Sequence, residues 1–377
     1  MEIVMRTLKI TTWNIEHFQK ALEEADTARL DAIRREILEI APDVLCLVEA
    51  PWSPSLLMRW LRDTDSGLGD EWVLPLIDGT NAFLDPAGQD DFKGLAQLYA
   101  MQGNTTTGGQ WIWFLIRRTL ADATRPAFQA PAVWQSFTGG AGWYYRAWGS
   151  GKRMRHTHWR HPQVLRLTID GFALEFIGAH LKSKINTTRP IDPATGDLSP
   201  TYVNAALTAR IKLTSEANDI RRYIDTRFDQ EPEPRIIVLG DLNDGPGREY
   251  FEREYLHHDL IGSLQGDVFF ATRFLNHALF DYEDRLRWST EFSDKVEVWS
   301  RTLPEARVPP ESGVDTAKRQ LIDHILFTQA LSGAGSGPKV RARSGCVEHV
   351  IHERIQASLK KVITSDHHPV SMAVEFR

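Results

Sequence analysis

Short runs of apolar, β-branched and aromatic residues recur along the whole chain, and they constrain the fold more than any other feature of the sequence. Such runs, several of them without polar alternation, are typical of β-strands that are buried on both faces. We therefore predict strands at LKITTW, VLCLVE, WIWFLI, VLRLTI, ALEFIGAHL, RIIVLGDL, LIDHILF and VSMAVEF.

Two amphipathic segments, Asp26–Ile40 and Tyr202–Phe228, lie between the predicted strands. In the first segment, Leu30, Ile33 and Ile37 recur at the spacing of one helix face. Strands that are buried on both faces must be covered by helices or by a second sheet, so these segments favour layered sheets covered by helices. No linker or repeat divides the 377 residues, which favours one domain.

The net charge and the cysteine count restrict the kind of partner and the compartment. A net charge of -6 means that any nucleic-acid binding must come from a local basic patch. Cys46 and Cys346 are too few for a disulfide framework, and Cys46 lies in an apolar run where a buried free thiol is expected. The N-terminal stretch contains neither a long apolar signal region nor a membrane span. We expect a cytoplasmic protein that does not bind membranes.

Polar residues that can bind a metal or move a proton stand at the ends of several predicted strands. They are Asn14, Glu49, His180, Asp241, Asn243 and Asp323. Taken singly, each has an ordinary structural explanation, such as a turn former, a strand exit or a satisfied core histidine. The closing segment SDHHP has one too, because Ser-Asp is good turn chemistry before a strand. The coincidence of all of them requires a common explanation.

Six segments in one order supply that explanation. They are TWNIE, LVEA, GAHLKSK, GDLND, LIDHILF and SDHHP, between residues 12 and 369. This series resembles the ordered motifs of the endonuclease/exonuclease/phosphatase superfamily. The resemblance implies an α/β fold, a four-layer α/β sandwich with two central, mostly antiparallel sheets packed face to face and helices outside. It frames a single domain over 1–377, with insertions predicted near 118–160, 185–203 and 265–318.

The resemblance also implies a divalent-metal-dependent phosphodiester hydrolase that attacks the phosphate in line with water. Mg²⁺ suits this chemistry because it uses few protein carboxylates and keeps waters for the substrate to displace, and Mn²⁺ is expected to substitute. The metal-side residues carried over are Glu49, Asp366, Asn14 and Asp241. The catalytic residues carried over are His180, Asp241, Asn243, Asp323 and His367.

The two histidines are expected to move protons. His367 with Asp323 resembles the family's carboxylate–imidazole dyad, in which the carboxylate fixes the tautomer, so that His367 acts as a general base or as a donor to the transition state. His180 would bind the phosphate or protonate the leaving oxygen. Deoxyribonuclease-like members have a glutamate partner for that histidine, whereas Gln110 stands here and can orient the ring without stabilising its charge. His368 is treated as a neighbour of the site.

The segment GKRMRHTHWRHP is the strongest local basic cluster. It is interpreted as a phosphate clamp, because Arg160 resembles an arginine of deoxyribonuclease-like members, or as a solvated charged loop. The substrate-binding candidates are Arg153, Arg155, Arg160, Lys182 and Asn243, with Lys184 extending the positive surface. A zinc site at His156, His158 and His161 is not favoured, because no cysteine or carboxylate stands at ligand spacing.

Three functions remain open from the sequence. The leading hypothesis is a nuclease with a DNA or RNA substrate, and the second is a phosphatase or phosphodiesterase for a small phosphoester or a lipid headgroup. The third is a non-catalytic binding protein on the same scaffold, which the presence of the metal-side and dyad residues disfavours. Aromatic residues ahead of the basic cluster could stack on bases or merely pack a loop. They are Trp134, Trp143, Tyr144, Tyr145 and Trp148.

Overall fold

The computed structural model describes residues 6–51, 54–69, 71–75, 110–124, 126–129, 143–146, 152–156, 160–192, 194–293, 296–297, 317–333, 336–359 and 363–376. The strands are β1 (Arg6–Asn14), β2 (Val44–Ala50), β3 (Trp72–Val73), β4 (Trp111–Arg117), β5 (Ala127–Phe128), β6 (Trp143–Arg146), β7 (Arg153–His156), β8 (Gln163–Ile169), β9 (Phe172–His180), β10 (Ile236–Asp241), β11 (Leu275–His277), β12 (Thr290–Ser293), β13 (Ala317–Gln320), β14 (Asp323–Thr328), β15 (Lys339–Val340), β16 (Cys346–Val347) and β17 (Val370–Phe376). The α-helices are α1 (Phe18–Glu23), α2 (Thr27–Ile40), α3 (Pro54–Arg62), α4 (Arg118–Thr124), α5 (Pro200–Gln230), α6 (Leu260–Gln265) and α7 (His349–Ser358).

Two large sheets form the centre of the described structure. The seven-stranded sheet has the order β15-β17-β1-β2-β4-β3, with β16 also on β17, and the six-stranded sheet has the order β11-β14-β10-β9-β8-β5. The pairs β1/β2 and β9/β10 are parallel, and the other pairs of these two sheets are antiparallel. Each predicted strand and both predicted helices are confirmed, as is the α/β sandwich.

The side-chain alternation of β10 shows how the layers form. Ile237 and Leu239 belong to the apolar core shared with the seven-stranded sheet, whereas Ile236 and Val238 pack with α5 and α6. Because alternate residues of a strand point to opposite faces, a continuous apolar run fills both interfaces at once. Strand β10 contacts β1 and β2 of the other sheet, so the two sheets pack face to face.

Capping side chains mark the start of each of the two predicted helices. The Asp26 carboxylate accepts a hydrogen bond from the Arg29 backbone N–H at 3.1 Å, and the Ser199 hydroxyl caps α5 in the same way. Such caps satisfy backbone donors that the first helical turn leaves without partners. Among the described helices, none is both long and apolar enough to cross a membrane.

Some predictions fall outside the described residues. They are those for Trp134, Trp148 and His158, and those for the side chains of Trp143, Tyr144, Tyr145, Arg155 and His156. The predicted insertion at 265–318 includes β11, which pairs with β14 and extends the six-stranded sheet. The single domain and its insertions remain predictions.

Candidate active site

The carboxyl ends of the two parallel strand pairs bring the polar residues together. Asn14 ends β1, and His180 and Asp241 lie opposite each other at the ends of β9 and β10. The Asn14 Nδ2 donates a hydrogen bond to Asp241 Oδ2 at 2.9 Å. This buried contact joins one sheet to the other, so the site lies where the carboxyl ends of strands from both sheets meet.

Gly240 allows β9 and β10 to approach closely at this point. Its φ is 138°, and a Cβ built on it would lie 1.9 Å from the Ala179 carbonyl oxygen. Only a residue without a side chain fits such a contact, which is the physical reason for glycine in GDLND. The approach places Asp241 with its Oδ2 3.7 Å from His180 Nε2.

His367 and Asp323 form the predicted pair. The Asp323 Oδ2 lies 2.7 Å from His367 Nδ1, and both side chains are buried. Asp323 begins β14 directly opposite Asp241 of β10, so both carboxylates face the imidazole. The hydrogen bond to Nδ1 leaves Nε2 as the ring nitrogen available to a substrate or water.

The loop that carries His367 is held by contacts to β1. The Trp13 indole N–H donates to the His367 carbonyl oxygen at 2.9 Å. The Ser365 hydroxyl donates to the Asn14 carbonyl oxygen at 2.6 Å and accepts from the His367 N–H at 3.0 Å. A second serine, Ser289, accepts from the backbone N–H of Asp323 at 3.1 Å. Neither serine was predicted from the sequence to belong to the site. Ser365 stands inside TSDHHP, where its position before Asp366 was a usable signal.

The buried charges of the site shift one another's pKa values. Burial raises the pKa of Asp241 to about 7, and repulsion by Asp323 adds to the effect. Burial opposes protonation of His367, but the carboxylates of Asp323, Asp241 and Asp366 outweigh it and raise its pKa to about 10. The site therefore concentrates negative charge that a cation would stabilise.

The donor set fits a hard divalent cation. Asn14 Oδ1 and Asp323 Oδ1 are buried oxygens without a hydrogen-bond partner among the described residues. One donor atom from each of Asp241, Asp323 and His367 lies within 4.8 Å of the others. Oxygen-rich, negatively charged sites of this kind suit Mg²⁺ and Mn²⁺ better than softer metals.

Glu49 and Asp366 border this buried centre. Glu49 has a φ of 57° at an irregularity in the pairing of β2 with β4, and its carboxylate accepts from the His17 N–H at 3.2 Å. Asp366 is exposed, with Oδ1 3.8 Å from His367 Nε2.

Glu16, which was not predicted from the sequence, has a pKa raised by burial and by the charges of Asp366 and Glu49. Its position within TWNIE was the available signal.

Gln110 was predicted to contact His180, but its side chain bonds to other residues. Its Nε2 donates to Glu49 Oε1 at 3.2 Å, and its Oε1 accepts from the Arg160 guanidinium. The reason is that Arg160 lies between Gln110 and His180 in the hydrogen-bond network. Its guanidinium donates to the carbonyl oxygens of His180 at 3.2 Å and Leu181 at 3.0 Å.

The buried Nδ1 of His180 has no hydrogen-bond partner among the described residues. Burial, with the charge of Arg160, holds the pKa of His180 well below its usual value, so the ring is neutral.

The predicted basic residues differ in their contacts and exposure. Arg160 is committed to Gln110 and to backbone carbonyls. Lys184 does not extend the positive surface, because its ammonium pairs with the buried carboxylate of Asp244. The Lys182 ammonium donates to the Ser183 carbonyl oxygen at 2.8 Å, and Arg153 is exposed but has an interaction partner of its own.

A cavity of about 440 Å³ adjoins the dyad. It is lined by Asn243, Asp366 and His367 and by apolar side chains that include Phe251 and Phe292. Asn243 is held there with a φ of 54°, its backbone N–H donating to Asp241 Oδ1 at 2.8 Å. Asparagine tolerates this left-handed conformation better than most residues. The cavity can therefore place a phosphoester beside both His367 and Asn243.

The comparison with protein families agrees with the motif series. The model of the Endonuclease/Exonuclease/phosphatase family matches residues 11–367. No curated protein matches the sequence at a significant level. The similar solved structures include TDP2 of D. rerio in complex with a single-strand DNA product, at 12% identity, 98% coverage of each chain and a TM-score of 0.47. They include beta toxin of Staphylococcus aureus, at 13% identity, coverage of 97% of this chain and 99% of that chain, and a TM-score of 0.49.

A third similar structure is the human Nocturnin catalytic domain with a bound sulfate anion, at 14% identity, coverage of 99% of this chain and 97% of that chain, and a TM-score of 0.42. The family assignment rests on the family model, which extends from the strand that carries Asn14 to His367. The chain therefore belongs to the Endonuclease/Exonuclease/phosphatase family, whose members are metal-dependent hydrolases that act on phosphoester bonds.

Proposed function

We propose that this protein is a Mg²⁺-dependent nuclease that hydrolyses the phosphodiester bonds of DNA or RNA. The observation that supports a hydrolytic activity is the 2.7 Å contact between Asp323 and His367, which lie beside Asp241. Asp241 in turn accepts a hydrogen bond from Asn14 of the other sheet. A general acid or base must lie within reach of the proton that it transfers, and His367, with its Nδ1 bonded to Asp323, lines the cavity proposed to receive the substrate.

Each side chain has a role in this proposal. Asp323 orients His367, whose raised pKa keeps the ring protonated at neutral pH, so that Nε2 donates to the charged phosphate. It would accept a proton from the attacking water only where a bound cation offset the neighbouring carboxylates and lowered this pKa. Asp241 and Asn243 orient the water and the phosphate. The neutral His180 donates a hydrogen bond to a phosphate oxygen or to the leaving oxygen, a role that its lowered pKa permits at neutral pH.

Mg²⁺ would be held by Glu49, Asn14, Asp241 and Asp366. When bound, it supplies positive charge that stabilises the equatorial phosphate oxygens in the transition state. Two features support this assignment: Asn14 Oδ1 is buried without a partner among the described residues, and the repulsion of Asp241 by the neighbouring Asp323 is one that a bound cation would relieve. Mn²⁺ is expected to replace Mg²⁺ because it accepts the same oxygen donors.

The polynucleotide substrate is proposed on a different observation from the hydrolytic chemistry. Its support is the exposed basic pair Lys152 and Arg153 in the segment that precedes β8. A small phosphoester is the second candidate, favoured by the limited cavity of about 440 Å³ and by the pairing of Lys184 with Asp244. A cytoplasmic location is consistent with Cys46 and Cys346, which are both free thiols.

A substrate panel tests the proposal. Labelled single- and double-stranded DNA, RNA, nucleotide phosphates and phospholipids are incubated with the protein in Mg²⁺, Mn²⁺ or EDTA, with His367→Ala as the matched control. We expect polynucleotide cleavage that requires the metal and is lost in the variant. If the polynucleotides stay intact while a small phosphoester is hydrolysed rapidly, the nuclease hypothesis is wrong and the second candidate is supported. No hydrolysis of any substrate would reject both.

A further inference from the structure

A second group of potential metal ligands lies next to the catalytic loop. It consists of His349 and Glu353 on α7 and of His368, which directly follows His367; we call it the α7 cluster. His349 Nδ1 and His368 Nδ1 are 2.8 Å apart, and one donor atom from each of the three residues lies within 4.8 Å of the others. His349 and Glu353 are four residues apart, so both side chains project from the same face of the helix.

The hydrogen bonds determine which ring nitrogen of His349 is free. His349 Nε2 lies 2.8 Å from the Leu286 carbonyl oxygen, which can only accept, so the proton of this ring is on Nε2. Nδ1 of His349 therefore has a lone pair, and without a metal it accepts from the Nδ1–H of His368. Metal-binding histidines usually donate their second ring N–H to a carbonyl or carboxylate in this way.

We propose that the α7 cluster is a Zn²⁺ site, with His349 Nδ1, His368 Nδ1 and a carboxylate oxygen of Glu353 as protein ligands. Two imidazoles and one carboxylate are a donor set that zinc accepts, with water as a fourth ligand. Ligand atoms at the edge of a tetrahedron with bonds of about 2.05 Å are about 3.3 Å apart. The two Nδ1 atoms therefore need to separate by only about half an ångström. The exposed Glu353 side chain is free to adjust its rotamer.

Both imidazoles are buried, with exposed fractions of 6% for His349 and 8% for His368, so a metal bound between them would be largely shielded from water. On binding, His368 exchanges its Nδ1 proton for one on Nε2 through solvent, and no net charge is lost from the ring.

Neighbouring aromatic rings orient the proposed ligands. The Trp288 ring centroid lies 4.4 Å from that of His349 and 4.5 Å from that of His368. The His352 ring lies tilted against that of His368, with centroids 4.1 Å apart, but its Nδ1 bonds to Glu36 Oε1 at 2.7 Å, so His352 supports the cluster without being a ligand. Zn²⁺ there would tie α7 to the loop that carries His367.

Isothermal titration of the full chain with Zn²⁺, in saturating Mg²⁺, tests the site. Glu353→Gln and His349→Gln each remove one ligand, and Glu23→Gln on α1 is the matched control for an exposed helical glutamate. We expect one site per chain, weakened at least about tenfold in the two ligand variants and unchanged in the control. No saturable binding, or binding that survives Glu353→Gln unchanged, would overturn the proposal.

Two further measurements separate this site from the catalytic centre. Glu49→Gln alters a proposed Mg²⁺ ligand, and we expect it to leave Zn²⁺ binding intact; loss of Zn²⁺ binding in that variant would assign the zinc to the catalytic centre instead. Co²⁺ in place of Zn²⁺ reports coordination by its visible absorption, whatever the activity of the protein. We expect a tetrahedral spectrum in the wild type that is lost in His349→Gln. A six-coordinate spectrum would contradict the proposed ligand set.

Discussion

At the scale of single residues, Asn14 is the side chain through which the two sheets form one site. Its amide donates to Asp241 at 2.9 Å and leaves its own buried oxygen without a partner among the described residues. A buried acceptor without a partner is costly unless a ligand satisfies it. We interpret this oxygen as one that would bind the metal directly or accept a hydrogen bond from one of its waters.

Glu49 provides the first residue-scale prediction. Glu49→Gln changes one charge with almost no change in shape, so the fold should persist while most of the activity is lost. We expect calorimetry to show weaker binding of Mg²⁺ and Mn²⁺, with circular dichroism unchanged. Glu23→Gln is the matched control, since it removes a carboxylate from an exposed helix. Undiminished Mg²⁺ binding in Glu49→Gln would refute its role as a ligand.

The pairing of Asp323 with His367 gives the second prediction. A positioned general acid or base typically contributes ~10²–10⁴-fold to a rate, so His367→Ala should reduce kcat severely. Asp323→Asn should follow closely, and the double variant should be little worse than either single variant, because the two side chains act as a unit. The test is kcat for all three variants on one substrate. Multiplying losses would show that the residues act independently.

His180 and Gln110 give the third prediction. His180→Ala should reduce activity through loss of a donor near Asp241. Gln110→Ala should have its effect through Glu49 and Arg160, which are the residues that its amide contacts. We therefore expect Gln110→Ala to raise the metal concentration needed for half-maximal activity, and His180→Ala to lower kcat at saturating metal. The reverse pattern in metal titrations of the two variants would contradict the observed network.

At the scale of elements, the close approach of β9 and β10 sets the site, and Gly240 provides the fourth prediction. Gly240→Ala would place a Cβ 1.9 Å from the Ala179 carbonyl oxygen, so the strands must separate. We expect the free energy of unfolding to fall by about 2 kcal/mol or more, with loss of activity.

Gly171→Ala is the control for Gly240→Ala, since Gly171 also has a positive φ, 82°, but nothing within 4 Å of the added Cβ. Its penalty should be about 1 kcal/mol. Equal unfolding midpoints in urea for the two variants would exclude a role of the strand contact.

At the scale of the whole molecule, a net charge of -6 conflicts with a polyanionic substrate unless positive groups gather near the cleft. Counterion release gives a salt slope of roughly 0.9 per neutralised phosphate on duplex and about 0.7 on single strands. If about three phosphates are held, a fourfold rise in salt should weaken binding by about tenfold or more. Removal of Arg153 and Arg155 together should flatten this slope, measured by fluorescence anisotropy. It should affect a small chromogenic phosphodiester little, and equal losses on both substrates would argue against a polynucleotide clamp.

The sequence by itself determined the positions of the strands and the types of residue at their ends. Burial on both faces imposes continuous apolar runs, and this local pattern is readable without knowledge of the partners, as the agreement of RIIVLGDL with β10 shows. The motif order likewise indicated the family and the pairing of Asp323 with His367, because both residues stand in recognisable segments.

Only the tertiary structure decided which polar side chains meet. Asn14 and Asp241 are 227 residues apart in sequence, and Gln110 contacts Glu49 and Arg160 instead of the expected His180. The pairing of Lys184 with Asp244 was equally absent from any local pattern. The physical reason is that hydrophobic periodicity fixes the direction of each side chain relative to its own strand. The partner of a polar group depends instead on the separation of different strands in space, which only the packed sheets set.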